Sequence, residues 1–311
     1  MAPKDGLAEA NGDGDDDKSG RILFPLLVTL AGPMHLANPH YRKKRVIETP
    51  TGAAAPSSPQ FFQAGNPSQR LAYRALAAAA PGHPGGVWLG GFRSDMLSTK
   101  AQRLEENARA QGRAFLRFDY SGHGESGGDF VEGTIGRWAG ESLDMIRGLT
   151  QGPQILVGSS MGGWIALLVA RELARLGEAD RLAGMVLIAP AVDFTQALMW
   201  ERLPADAKRD IEERGVWLRH SQYSPEPYPI TRGLIEDGRN HLLMGAPMRA
   251  HCPVHILQGM EDPDVPYKHA LAIVEHLAQD PVALTLIKDG DHRLSREEDI
   301  ARLIAAYDGI G

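Results

Sequence analysis

Short apolar runs, many of them β-branched, alternate along the chain with longer stretches in which apolar residues recur every three to four positions. The short runs read as strands and the longer stretches as helices. Gly86-Val87-Trp88-Leu89, Ala114-Phe115-Leu116-Arg117-Phe118, Gln154-Ile155-Leu156-Val157-Gly158, Gly184-Met185-Val186-Leu187-Ile188, Val254-His255-Ile256-Leu257 and the run from Val282 to Ile287 are apolar at nearly consecutive positions. That is the pattern of strands covered on both faces. Helices are expected from Thr99 to Gly112, from Gly133 to Thr150, and over Ile165-Ala166-Leu167-Leu168-Val169-Ala170-Arg171 and beyond. Three further strand-like pieces, Val46-Ile47-Glu48, Gln60-Phe61-Phe62 and Leu71-Ala72-Tyr73-Arg74, come first, separated by turn-forming Gly and Pro. The alternation predicts an α/β fold with a mostly parallel central sheet and helices on both faces.

Two segments break the alternation. Residues 1–45 read as an N-terminal extension: Asn11-Gly12-Asp13-Gly14-Asp15-Asp16-Asp17 is acidic and glycine-rich, a composition that favours disorder. Residues 46–311 read as one domain, interrupted at about 192–250. That interruption carries Leu198-Met199-Trp200, Leu203, Val216-Trp217-Leu218 and the prolines Pro225, Pro227 and Pro229. It shows helical stretches and no strand of the core type. The expectation is a helical lid over the functional edge, with Trp200 and Leu203 shaping a pocket; the bland alternative is extra core helices away from any site.

Composition narrows the function. The chain has 311 residues, 43% of them hydrophobic, enough for one large core. Net charge is −6, and the isolated cluster Arg42-Lys43-Lys44-Arg45 is too short for a nucleic-acid surface. A single cysteine, Cys252, excludes an internal disulfide and a cysteine-based metal site. The run from Ile22 to Ala31 is too short to cross a membrane and contains Pro25, so no stable membrane insertion is expected. Acidic residues precede it, where a presequence or signal peptide would be basic, which points to the cytoplasm.

The chemistry centres on Gly158-x-Ser160-x-Gly162, placed between an apolar strand and an apolar helix. This is the spacing of a nucleophile elbow, where a serine on a tight strand-to-helix turn tolerates no bulk two residues to either side. Ser159 does not fit, since its flanks would be Val157 and Met161. A serine hydroxyl needs a base, and His292 alone among the 11 histidines lies in a loop between the last expected strand and a final helix. His123 competes but precedes the serine. The acid should come from the loop Gly259-Met260-Glu261-Asp262-Pro263-Asp264; Asp262, on the turn leaving the strand, is preferred over Asp264, with Glu261, Asp289 and Asp291 also near. Oxyanion donors are expected from the backbone N–H of Met161 and of Phe92, in the loop Gly90-Gly91-Phe92. Gly122-His123-Gly124-Glu125-Ser126-Gly127 matches the dinucleotide fingerprint, but Gly128-Asp129 follows and no helix opens from the glycines, so it reads as a glycine turn rather than a nicotinamide site.

Together Gly158-x-Ser160-x-Gly162, Phe118-Asp119-Tyr120-Ser121-Gly122-x-Gly124-x-Ser126, Gly259-x-x-Asp262-x-x-Val265-Pro266 and Gly290-Asp291-His292-Arg293 resemble the α/β-hydrolases. More narrowly, Gly158-Ser159-Ser160-x-Gly162-Gly163-Trp164, Gly215-Val216-Trp217, Cys252-Pro253-Val254 and Asp291-His292-Arg293 are similar to the mitochondrial acyl-protein thioesterases and their bacterial relatives, from about Gly86 to Leu303. The resemblance implies Ser160, Asp262 and His292 as a catalytic triad. It also implies ester or thioester substrates, on a small molecule or an acylated protein, with no cofactor and no metal. A catalytically silent receptor, and a C–C bond hydrolase or lactonase with the same triad, are the alternatives. The sequence sets no oligomeric state.

Overall fold

The six nearly continuous apolar runs between Gly86 and Ile287 become strands of one sheet, and the register explains why they are apolar on both sides. The computed structural model describes residues 27–31, 58–79, 82–221 and 224–310; Val46-Ile47-Glu48 and the acidic run 11–17 lie outside them. In chain order the elements are β1 (Leu27–Ala31), β2 (Gln60–Ala64), β3 (Gln69–Leu76), β4 (Gly85–Leu89), α1 (Thr99–Ala110), β5 (Phe115–Phe118), α2 (Ile135–Leu149), β6 (Gln154–Ser159), α3 (Met161–Arg175) and β7 (Leu182–Ile188). Then come α4 (Ala205–Arg214), β8 (Val216–Ser221), β9 (Ser224–Thr231), α5 (Arg232–Arg239), β10 (Val254–Gly259), α6 (Tyr267–His276), β11 (Val282–Ile287) and α7 (Glu297–Asp308).

Nine strands form the sheet, in the order β1-β11-β10-β7-β6-β4-β5-β3-β2. All neighbours run parallel except β2 with β3 and β3 with β5. Successive side chains of a strand point to opposite faces. Val87, Leu89, Leu156, Met185, Leu187 and Ile256 therefore pack with Ile135 and Trp138 of α2, Trp164 and Leu168 of α3 and Ile273 of α6. Their neighbours Trp88, Ile155, Val157, Val186, Ile188 and Leu257 pack on the other face with Leu104 of α1 and Leu303 and Tyr307 of α7. The first ten residues of α3, Met161 to Ala170, are apolar on every side and all buried, because this part of the helix sits at the centre of the first layer. Leu27–Ala31, inside the expected extension, runs as an edge strand parallel to β11.

The interruption between β7 and β10 differs from the expected helical lid. It contains short turns at Thr195–Met199 and Trp200–Arg202, then α4, an antiparallel hairpin of β8 and β9 in a sheet of its own, and α5. The prolines of β9 fall at every second position, 225, 227 and 229. In an edge strand alternate N–H groups point away from the partner, so prolines of one parity need not break the ladder.

Candidate active site

Ser160 occupies the turn from β6 into α3 with φ 53° and ψ −115°. A non-glycine residue in this region costs of order 1–3 kcal/mol and persists only when its surroundings fix it. Here the Ser160 N–H donates to the Ile188 carbonyl at 2.8 Å, and its own carbonyl accepts from Gly163 at 2.9 Å and Ala191 at 3.0 Å. The flanking glycines are steric necessities. A Cβ on Gly158 would lie 2.4 Å from the Gly162 carbonyl oxygen, and one on Gly162 would lie 2.1 Å from that of Leu89.

The loops after β10 and β11 reach the same rim of the sheet as Ser160, because all three strands are parallel. His292 Nε2 lies 3.1 Å from Ser160 Oγ, and His292 Nδ1 lies 2.8 Å from Asp262 Oδ2. A carboxylate only accepts, so Nδ1 carries the proton and Nε2 is left to accept from the serine hydroxyl. The Asp262 side chain is fully buried, at 0% exposure, and that of His292 is 19% exposed. Asp262 Oδ1 accepts from the N–H groups of Asp264 (2.8 Å) and Val265 (2.9 Å), and Oδ2 also accepts from Gln258 Nε2 at 3.2 Å. Gln258 is itself held by the carbonyls of Gly259 and Val265.

The other acids stand elsewhere. Asp264 supports Asp262 through its backbone and lines the adjoining cavity, Asp289 pairs with Arg296, Asp291 accepts from the Leu294 N–H, and the Glu261 N–H donates to the Gly290 carbonyl. Asp262, Asp264 and His292 could offer three metal ligands. However, four N–H donors already face the Asp262 carboxylate, which matches its acceptor capacity, and this favours an acid–base pair over a metal centre.

Phe92 and Met161, the residues expected to supply the oxyanion donors, line the same cavity as Ser160. Met161 is the first residue of α3 and Phe92 follows β4. Among the described residues neither N–H has an acceptor, and the positive end of the α3 dipole adds to the field there. The Phe92 ring is wedged among Phe130, Phe194, Tyr228 and Trp138, with centroids 5.1 to 6.0 Å away. The next residue, Arg93, has φ 59°.

What holds this turn is the glycine-rich stretch that resembled a nucleotide loop. His123 Nε2 accepts the Arg93 N–H at 3.1 Å while Nδ1 donates to the Ser121 carbonyl at 3.1 Å. Asp119 Oδ1 accepts the Met96 N–H at 2.7 Å and Oδ2 that of Glu125 at 2.9 Å. Burial pushes the His123 pKa down to about 4, so the ring stays neutral and able to accept. Sequence reasoning saw His123 only as a rival base and missed this bracing contact. No α-helix opens from the glycines: a single 3₁₀ turn at Phe130–Glu132 follows them, and α2 starts at Ile135.

A cavity of about 300 Å³ opens beside Ser160, walled by Phe194, Leu198, Met199, Leu203, Trp217 and Val265. Leu203 stands where expected. Trp200 does not reach the cavity; its ring lies under Lys208 and Arg239.

The architecture and sequence comparison agree on the class. Residues 79–306 match the alpha/beta hydrolase family, and the chain belongs to it, as a hydrolase of ester or thioester bonds. It is 36% identical to the mitochondrial palmitoyl-protein thioesterase ABHD10 of Bos taurus over 241 residues, 77% of this chain and 76% of that protein. A putative hydrolase from Agrobacterium vitis S4 superimposes with a TM-score of 0.79 and 47% identity, covering 82% of this chain and 99% of that one. The mouse alpha/beta hydrolase domain-containing protein 10 gives 0.71 and 33%, covering 82% and 98%. The cytoplasmic expectation is corrected by these relatives, because the ABHD10 proteins at 34 to 36% identity are mitochondrial. The acidic run on which that expectation rested lies outside the described residues. No helix of the described residues is long and apolar enough to cross a membrane.

Proposed function

We propose that the enzyme is a serine acyl-thioesterase working through an acyl-enzyme. The single observation that carries this reading is His292 standing between Ser160 and Asp262 at 3.1 and 2.8 Å. Ser160 Oγ attacks the carbonyl carbon of the acyl group as His292 Nε2 takes the hydroxyl proton. Negative charge moves onto the carbonyl oxygen, where the N–H groups of Phe92 and Met161 receive it; one such donor contributes about 10²–10³ to turnover. Asp262 holds the Nδ1–H tautomer and steadies the imidazolium. The C–S or C–O bond then breaks, and His292 returns the proton to the departing thiolate or alkoxide. Water, activated by the same imidazole, attacks the acyl-serine and releases the carboxylic acid and free enzyme.

Apolar side chains dominate the walls of the 300 Å³ cavity, which Arg202, Arg219 and Asp264 also line, and favour an acyl chain on one side of Ser160. Relatives named palmitoyl-protein thioesterases support a fatty acyl thioester on a protein cysteine as the substrate. A fluorophosphonate probe should label Ser160, and Ser160→Ala should abolish both labelling and thioester turnover with the melting temperature nearly unchanged. Full thioesterase activity in the Ser160→Ala protein would refute the mechanism.

A further inference from the structure

The loop that leads from α5 back into the sheet borders a hollow that takes no part in the acyl chemistry. It measures about 340 Å³, lies between the middle of α3 and residues 242–251, and shares no lining residue with the cavity beside Ser160. Its wall is apolar at Leu167, Leu242, Leu243, Pro247 and Met248. Leu242 is 40% exposed, an open position for a large apolar side chain. Arg171, Arg249 and His251 are the remaining chemistry of the wall, and no carboxylate lines it.

The loop is pinned at both ends. The N–H groups of Leu243 and Met244 donate to the buried Asp193 at 2.9 to 3.1 Å, and those of Ala250 and His251 donate to the buried Asp280 at 2.8 and 3.0 Å. Between them the Met248 N–H donates to the His276 carbonyl, at the end of α6, at 2.9 Å. The hollow is therefore preformed, and a ligand loses little free energy in organising it. The acids close by are engaged. Both Asp280 oxygens accept the N–H groups just named. Glu172, next to Arg171 on α3 and within reach of its charge, is held by Arg175 at 2.5 Å. Among the described residues neither Arg171 nor Arg249 has a hydrogen-bonded or ion-paired partner of its own, and both are exposed.

An apolar hollow with two open guanidinium groups and no acid in its wall matches an amphipathic anion. The chain lies against the leucines, and the planar forks of the arginines suit a carboxylate. The volume is close to the 300 Å³ of the acyl cavity, so a chain that fits one fits the other. We propose that this hollow is a second, non-catalytic site that binds an unbranched fatty carboxylate, the class of product that deacylation releases, with Arg171 and Arg249 as the ligands of its head group. The choice of a carboxylate rests on the acyl-transfer reading above; the site itself rests on the shape and charge of the hollow.

Calorimetric titration of Ser160→Ala protein with sodium decanoate tests this without turnover. Ala246→Trp places an indole in the hollow from an exposed loop position and should remove one binding site. Arg171→Gln and Arg249→Gln should each weaken that same site by about two- to fivefold, the size of a surface ion pair, and more at low salt than at high. Decanamide, without the charge, should bind there about tenfold more weakly, and acetate, without the chain, not measurably. With Ser160 intact, the three variants should hydrolyse p-nitrophenyl acetate at the wild-type kcat/KM, which also shows that they fold.

Decanoate binding that Ala246→Trp leaves intact, affinity unchanged in both arginine variants, or equal affinity for decanamide would overturn the proposal. A site lost in Ala246→Trp and weakened in both arginine variants supports it even if Ser160 proves not to be the nucleophile. The absence of such a site refutes it even if acyl transfer through Ser160 holds.

Discussion

Replacing Asp262 with asparagine changes one oxygen for an NH₂ group, and the surroundings dictate which way that group must face. Oδ1 accepts two backbone N–H groups, from Asp264 and Val265. An NH₂ there would meet two donors, so the asparagine oxygen stays on that side and its NH₂ turns toward His292. It then donates to His292 Nδ1, which must lose its hydrogen to accept, and the ring hydrogen moves to Nε2. In that tautomer Nε2 donates to Ser160 and can no longer take its proton. The expected loss is about 10⁴-fold in kcat, a barrier increase of about 5 kcal/mol.

The same NH₂ also meets Gln258 Nε2. Gln258 cannot turn its amide without giving up its bonds to the Gly259 and Val265 carbonyls, so folding stability should fall by about 1–3 kcal/mol. Asp262→Ala offers Nδ1 no donor and leaves both tautomers open, so its residual turnover should equal or exceed that of Asp262→Asn despite the larger change in shape. Steady-state hydrolysis of a p-nitrophenyl acyl ester, with ¹⁵N chemical shifts of the His292 ring, reads both effects. An asparagine variant keeping more than a tenth of wild-type kcat, or showing the Nδ1–H tautomer, would refute the reasoning.

Gly162→Ala drives a Cβ to 2.1 Å from the Leu89 carbonyl oxygen and should cost at least about 2 kcal/mol; an unmoved urea midpoint would contradict the steric account of the elbow. His123 titrates near 4 when folded against about 6.5 unfolded, so the unfolded chain binds the proton first. The stability it contributes is fully present above pH 6.5 and is lost as the pH falls to about 4, at most about 3 kcal/mol. The urea-stability gap between wild type and His123→Gln should therefore narrow over that window, and a gap independent of pH would show that the ring is not held neutral by burial. Leu203→Trp should occlude the acyl cavity. If two methylenes are excluded, kcat/KM for a long acyl ester relative to an acetyl ester falls by roughly tenfold or more, and an unaltered chain-length profile would place the acyl chain elsewhere.

The parts of the molecule that could be read in advance are those where local geometry restricts residue type. Gly158 and Gly162 had to be glycine because of carbonyls within 2.4 Å of their absent side chains, and the buried central strands had to be apolar on both faces. Asp262 and His292 could be placed because parallel strands send their following loops to one rim. The β8–β9 hairpin was hidden by prolines, whose effect depends on which N–H groups face a partner, and a linear pattern does not carry that. The role of His123 was hidden for a similar reason. Its partner is a backbone N–H at Arg93, 30 residues away, and no side-chain motif marks a backbone acceptor site. The cytoplasmic expectation failed because it weighed the composition of the N-terminus alone.

One carboxylate joins the two ends of the segment that walls the acyl cavity. Asp193, 5% exposed just after β7, accepts the N–H groups of Leu243 and Met244 at 2.9 to 3.1 Å, about 50 residues further on. Everything from Leu198 to Arg219 that touches the cavity hangs within this closed loop, while Ser160, Asp262 and His292 lie outside it. Lengthening such a loop is cheap, about 0.6 kcal/mol for each doubling. The intervening stretch could be exchanged as a cassette between the same two anchors, giving the enzyme a new diet while the hydroxyl, the imidazole and the acid keep their places.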